Sequence, residues 1–179
     1  MYTNKLHPGS KFPTISATLL SGEKVELARP TGDADWKLVV VYRGKHCPMC
    51  TKYLNALENH IEDLSEIKVD TIAVSGDSKE HLEQHLEKLK INFPIAFGLS
   101  LEQMQELGLF ISTPRSEQET DHNFAESGLF VINQEGNIQV IDISNNPFVR
   151  PDLNELTSGL QWIRNPKNNY PIRGMFNAS

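Results

Sequence analysis

Apolar residues change their spacing several times along this chain, and each change marks an element. Lys37 to Tyr42 is a short, nearly continuous valine-rich run, the pattern of a strand covered on both faces. After it, Tyr53, Leu54, Leu57, Ile61 and Leu64 recur at steps of three and four, which predicts a helix over about Pro48 to Leu64. Lys68 to Val74 is a second strand. Asp77, with Glu80 completing a capping-box pattern, predicts the start of a helix whose buried stripe is Leu82, Leu86 and Leu89. A strand–helix–strand–helix rhythm with a crossover of this length predicts parallel pairing. Phe93 to Phe97 is extended, and Leu101, Met104 and Leu107 suit a brief helix ending at Gly108. The chain is polar from Ser112 to Asn123. Gly128–Ile132 and Asn137–Ile143 then flank Gln134-Glu135-Gly136 as a hairpin. Pro151 opens a last helix with Leu153, Leu156, Leu160 and Ile163 on one face. Ahead of all this, Thr14–Leu20 and Lys24–Leu27 flank the turn Ser21-Gly22-Glu23.

These elements describe an α/β fold: a mixed central sheet with helices on both faces and an N-terminal β extension. The expected organisation is one domain over residues 1–179, with 1–35 as the extension and 165–179 as a surface tail. Composition fits, since 179 residues with 39% hydrophobic content can bury one sizeable core. A net charge of -6 and a pI near 5.5 argue against nucleic acid and anionic membrane surfaces as partners. No apolar run approaches a membrane span, and Met1-Tyr2-Thr3-Asn4-Lys5 has no signal-peptide core. The chain's 2 cysteines, without such a signal, point to a reducing compartment, and the expectation is a cytoplasmic protein.

Both cysteines fall in Cys47-Pro48-Met49-Cys50, between the valine strand and the first helix. Pro48 suits a first helical turn, because it lacks a donor where none is needed. Cys47 is thereby placed at the positive end of a helix, where unpaired N–H groups and the helix dipole stabilise a thiolate. Cys47 is the expected exposed attacker, and Cys50, one turn on, the thiol that resolves whatever Cys47 has bonded to. Arg43, Lys45 and His46 add positive charge on the approach. A zinc half-site would need further cysteines, and the chain has none. A structural disulfide closing so small a loop would remove little chain entropy. His81 and His85 share a helical face, but the surrounding Glu and Lys mark that face as solvated, and the order differs from H-E-x-x-H. Arg115 and His122 lie in the polar stretch, and two readings stay open: an approach to the thiol site and, the favoured one, a solvated surface loop. No cofactor and no metal site is expected.

Tyr42-Arg43-Gly44, two intervening residues and Cys47-Pro48-Met49-Cys50 resemble the peroxiredoxin-like branch of the alkyl hydroperoxide reductase and thiol-specific antioxidant (AhpC/TSA) family. Leu6-His7-Pro8-Gly9-Ser10-Lys11-Phe12-Pro13 is similar to the lead-in of such domains, and Tyr170-Pro171-Ile172-Arg173-Gly174 to the tail of this branch. The resemblance implies a thioredoxin-like fold and thiol redox chemistry, with a homodimer suggested by analogy alone. The chain also departs from the family. Peroxiredoxins proper carry a proline and a threonine at the positions of Val40 and Gly44, and an arginine at that of Ser127. Three functions therefore stay open. One is a peroxidase, in which Cys47 attacks a hydroperoxide and Cys50 resolves, with Arg43 holding the thiolate and a thiol such as thioredoxin or glutathione as reductant. Another is a thiol–disulfide oxidoreductase acting on protein disulfides. The last is a non-enzymatic redox sensor or interaction module.

Overall fold

The structure, a computed structural model, describes residues 1–177. Its centre is the predicted valine strand, β3 (Trp36–Val41), in which all six residues are buried. Alternation of side chains across a strand sends Trp36, Leu38 and Val40 to one face and Val39 and Val41 to the other. Each set nucleates its own layer of core. β4 (Val69–Val74) and β5 (Ile95–Phe97) continue the sheet in parallel on one side of β3. β8 (Gly128–Ile132) and β9 (Ile138–Ile143) extend it antiparallel on the other. The N-terminal hairpin β1 (Ser16–Leu19) and β2 (Lys24–Glu26) pairs antiparallel with β5, giving the order β2-β1-β5-β4-β3-β8-β9. The mixed sheet and its β extension match the expected architecture.

Four helices cover the Leu38 face: α1 (Pro48–Glu58), α2 (Ile61–Glu66), α3 (Lys79–Leu86) and α5 (Leu153–Arg164). The opposite face is covered by α4 (Leu101–Glu106) and the N-terminal arm, through Met104, Leu107, Phe12, Ile15 and Leu27. Leu54 and Leu57 pin α1 to the sheet with no exposed surface. Burial of each contributes on the order of 2–3 kcal/mol. No helix among the described residues is long and apolar enough to cross a membrane.

The expected continuous helix over residues 48–64 is two helices. Asn59 and His60 close α1 with short i to i−3 bonds to Ala56 and Leu57. Their neighbours are tied elsewhere: Glu58 accepts from the Asn92 backbone at 2.8 Å, and His60 Nδ1 faces Thr157 Oγ1 at 3.3 Å. A second correction concerns the cap of α3. Ser78, not Asp77, caps it, its hydroxyl accepting from the His81 N–H at 3.2 Å, while Asp77 turns inward. Both residue types favour an N-cap, so spacing alone did not separate them. Within the polar stretch, β6 (Ile111–Ser112) and β7 (Phe124–Ala125) pair antiparallel and staple the two ends of the loop between them. Beyond α5, Tyr170 stacks edge-on against Trp162, and Met175 lies over Gly9.

Candidate active site

Parallel register builds the site. Val41 pairs with Val74, and the Tyr42 N–H extends the ladder to the Val74 carbonyl at 3.1 Å. Residues leaving β3 therefore run beside those leaving β4, at the carboxyl edge where open α/β sheets place their ligand sites. Antiparallel register supplies the other wall, because Val41 opposite Gly128 carries Arg43 toward Glu126. The Arg43 Nε and Glu126 Oε2 form a largely buried ion pair at 2.8 Å. Glu126 escaped sequence reasoning, since its partner lies eighty-three residues away and only strand register joins them.

Cys47 is the N-cap of α1, and its sulfur accepts from the Cys50 N–H at 3.2 Å. The Cys50 thiol donating to this sulfur is the main reason the Cys47 pKa drops from 9.0 to about 6. Burial works against that drop, while the Cys50 N–H and the Arg43 guanidinium reinforce it. Cys50 moves the opposite way, its thiol pushed far up by the bond to Cys47 and then by burial. One sulfur is ionised near neutrality and the other holds its proton. Burial also pushes His46 down to about 4, with Arg43 adding to the effect, and its ring packs edge-on against Phe124 at 4.5 Å. His46 is thus neutral and contributes no charge to the thiolate.

Exposure corrects one expectation. Cys47 retains 1% of its surface, so the attacker is not exposed. It lies in the wall of a cleft of about 890 Å³ shared with Arg43, His46, Met49, His81 and Arg115. The loop between β6 and β7, for which sequence patterning favoured a solvated surface over an approach to the thiol site, forms the far wall. His85 is likewise no solvated histidine: it is fully buried, with Nε2 2.7 Å from Thr51 Oγ1, and burial holds its pKa down at about 4. The α1–α3 contact passes between His81 and His85, so two residues on one helical face meet different surroundings. His122 stands 3.4 Å from Asp77, whereas the Arg115 side chain is 87% exposed at the rim.

The AhpC/TSA family profile matches residues 8–141. The chain belongs to the AhpC/TSA family. No curated protein matches the full sequence significantly. Among solved structures, the chain is similar to the peroxiredoxin-like protein from Aquifex aeolicus, with a TM-score of 0.72 and 14% identity over 88% of each chain. It is also similar to AhpC of Mycobacterium tuberculosis, with a TM-score of 0.72 and 17% identity over 92% of this chain and 96% of that one. Peroxiredoxin 6 of Arenicola marina gives 0.73 at 17% identity, covering 90% of this chain and 75% of that one. At these identities the likeness concerns the fold. Family and fold together make this AhpC/TSA protein a peroxiredoxin-like oxidoreductase.

The family's threonine position is Gly44, and the structure accounts for the change. Its φ of +142° favours glycine, and a Cβ there would stand 2.6 Å from Asp77 Oδ1. Asp77 occupies the space that a side chain at position 44 would fill, and its Oδ2 accepts from the Lys45 N–H at 2.7 Å. Restoring the family residue with Gly44→Thr should therefore destabilise this AhpC/TSA member by about 1–3 kcal/mol. Urea unfolding at neutral pH measures it, and an unchanged midpoint would mean that the turn relaxes freely.

Proposed function

We propose that the protein reduces hydroperoxides, with Cys47 as the attacking thiolate and Cys50 as the resolving thiol. The observation that carries this reading is a sulfur ionised near neutrality yet almost wholly enclosed at the side of a cleft. A hydroperoxide is the smaller of the candidate substrates and needs the least opening of the cleft wall to meet this sulfur. Exchange with a protein disulfide needs three sulfurs in line and a bulky partner against the attacker, which 1% exposure does not admit without opening.

The Cys47 thiolate attacks the terminal peroxide oxygen. An S–O bond forms, the O–O bond breaks, and the departing alkoxide takes up a proton as alcohol or water. Cys47 is left as a sulfenic acid, oxidised by two electrons. Arg43 lies beside the sulfur, where its charge steadies the thiolate and polarises the peroxide oxygen. Cys50 then attacks the sulfenic sulfur, forming the disulfide as its own proton leaves with the hydroxyl in water. Two equivalents of an external thiol, of the thioredoxin or glutathione kind, return the pair to its reduced state.

Stopped-flow mixing of the reduced protein with hydrogen peroxide, beside a protein disulfide substrate, tests the assignment. Peroxide should oxidise Cys47 faster by orders of magnitude. The reverse ranking would assign the dithiol to disulfide exchange.

A further inference from the structure

A cluster outside the dithiol is not used by this chemistry. Asp77 follows β4, His81 lies in the first turn of α3, and His122 comes from the loop between β6 and β7. One donor atom from each lies within 4.8 Å of the other two. His81 Nδ1 is 3.8 Å and His122 Nε2 3.4 Å from Asp77 Oδ1.

Hydrogen bonding shows that these atoms lack something. The Asp77 side chain has no exposed surface, and its Oδ2 is committed to the Lys45 N–H. Its Oδ1 is buried and has no hydrogen-bond partner among the described residues, and the same holds for His122 Nε2. The other His122 nitrogen, Nδ1, sits 2.8 Å from the Asp121 carboxylate. Asp121 can only accept, so Nδ1 carries a proton, and in the neutral ring Nε2 presents a lone pair toward Asp77 Oδ1. Two lone pairs then face each other across 3.4 Å in a buried place. A proton or a metal ion between them removes the repulsion. The Lys45 ammonium bonds neither atom; its partner is Gln84 Oε1 at 2.5 Å.

We propose that Asp77, His81 and His122 form a binding site for a divalent transition-metal ion, with zinc best suited, at the edge of the cleft that His81 shares with Cys47. Two imidazoles and one carboxylate with an open fourth position are a donor set that zinc accepts. Asp121 stands as the outer carboxylate that orients a ligating imidazole. Tetrahedral zinc with bonds of about 2.0–2.1 Å spaces its donors about 3.3 Å apart, so closing the set from its present span needs side-chain shifts of roughly an ångström. Gly44 is part of the design, since any Cβ there would displace Asp77. The site also ties the loop to the sheet edge, and with it the far wall of the cleft.

The full chain, reduced and stripped with a chelator, is titrated with Co²⁺ and Zn²⁺. One equivalent should bind in the micromolar range, with cobalt d–d absorption and no thiolate-to-cobalt charge-transfer band. His122→Ala, on the partly exposed loop, should weaken binding by at least about tenfold, and Asp121→Asn by about tenfold. His122→Gln, which keeps a neutral polar group in place, should weaken it as His122→Ala does. A charge-transfer band would put the metal on the cysteines and overturn the proposal. So would affinity unchanged in both His122 variants, or no saturable binding. In that last case Asp77 is instead paired with a protonated His122.

Discussion

Cys47→Ser is expected to abolish peroxide consumption, while Cys50→Ser should allow a single turnover that ends in a trapped sulfenic acid. The expectation follows from the opposite pulls on the two sulfurs. Cys47 is drawn down to about 6 and is ionised at neutral pH, whereas a serine hydroxyl in its place would stay protonated and unreactive. Cys50 keeps its proton and can act only after Cys47 has changed. Without Cys50 nothing nearby resolves the sulfenic acid, because among the described residues no third cysteine exists. Cys50→Ser keeps a hydroxyl donor and the same backbone N–H beside Cys47, so the attacking sulfur should stay ionised near neutrality in this variant. Peroxide consumption and mass spectrometry with a sulfenic-acid trap measure both results. Equal consumption by wild type and Cys47→Ser would remove the dithiol from the reaction.

Arg43→Met is the other large effect expected. The thiolate is the reactive species, so wild-type reactivity should be present above a pH of about 6 and fall away as pH drops through that value. Removing the guanidinium takes away a hydrogen bond and a charge that favour the thiolate. It also leaves the Glu126 carboxylate without its counter-charge, held by Ser112 alone among the described residues. The reactivity profile should move upward in pH. The Cys50 thiol and N–H still favour the thiolate in this variant, so the shift should be partial; full return to an ordinary pKa of about 8.5, about 3% ionised at pH 7 and roughly a thirtyfold loss, is its upper bound. At high pH the variant should recover its ionised fraction, and any rate still missing there measures the help Arg43 gives to the peroxide oxygen. A thiolate-absorbance titration reads the shift directly. An unmoved titration would mean that Arg43 serves Glu126 alone.

Local pattern reached far in this chain. The nearly continuous valine-rich run placed β3, and the three-and-four spacing with Pro48 put Cys47 at a helix start, because both depend on neighbours within a turn or two of chain. Arg43 was legible for the same reason, being four residues from the sulfur. Other features had no local signal. A helix over residues 48–64 looked continuous because its stripe is continuous, while the break at Asn59-His60 accompanies contacts to Asn92 and Thr157 from distant segments. His81 and His85 look equivalent on a helical wheel, and only the packing of α3 on α1 buries one and leaves the other at the cleft.

What the sequence determined by itself is the dithiol, its place at the strand-to-helix turn and the family that carries it, since each is written in contiguous residues. Tertiary structure alone decided that Cys47 is enclosed, that Glu126 answers Arg43, and that Asp77 fills the gap over Gly44 and faces His122. Those outcomes depend on strand register and on a loop folding back across the sheet edge. Register is a relation between distant segments, and no periodicity within one of them reports it.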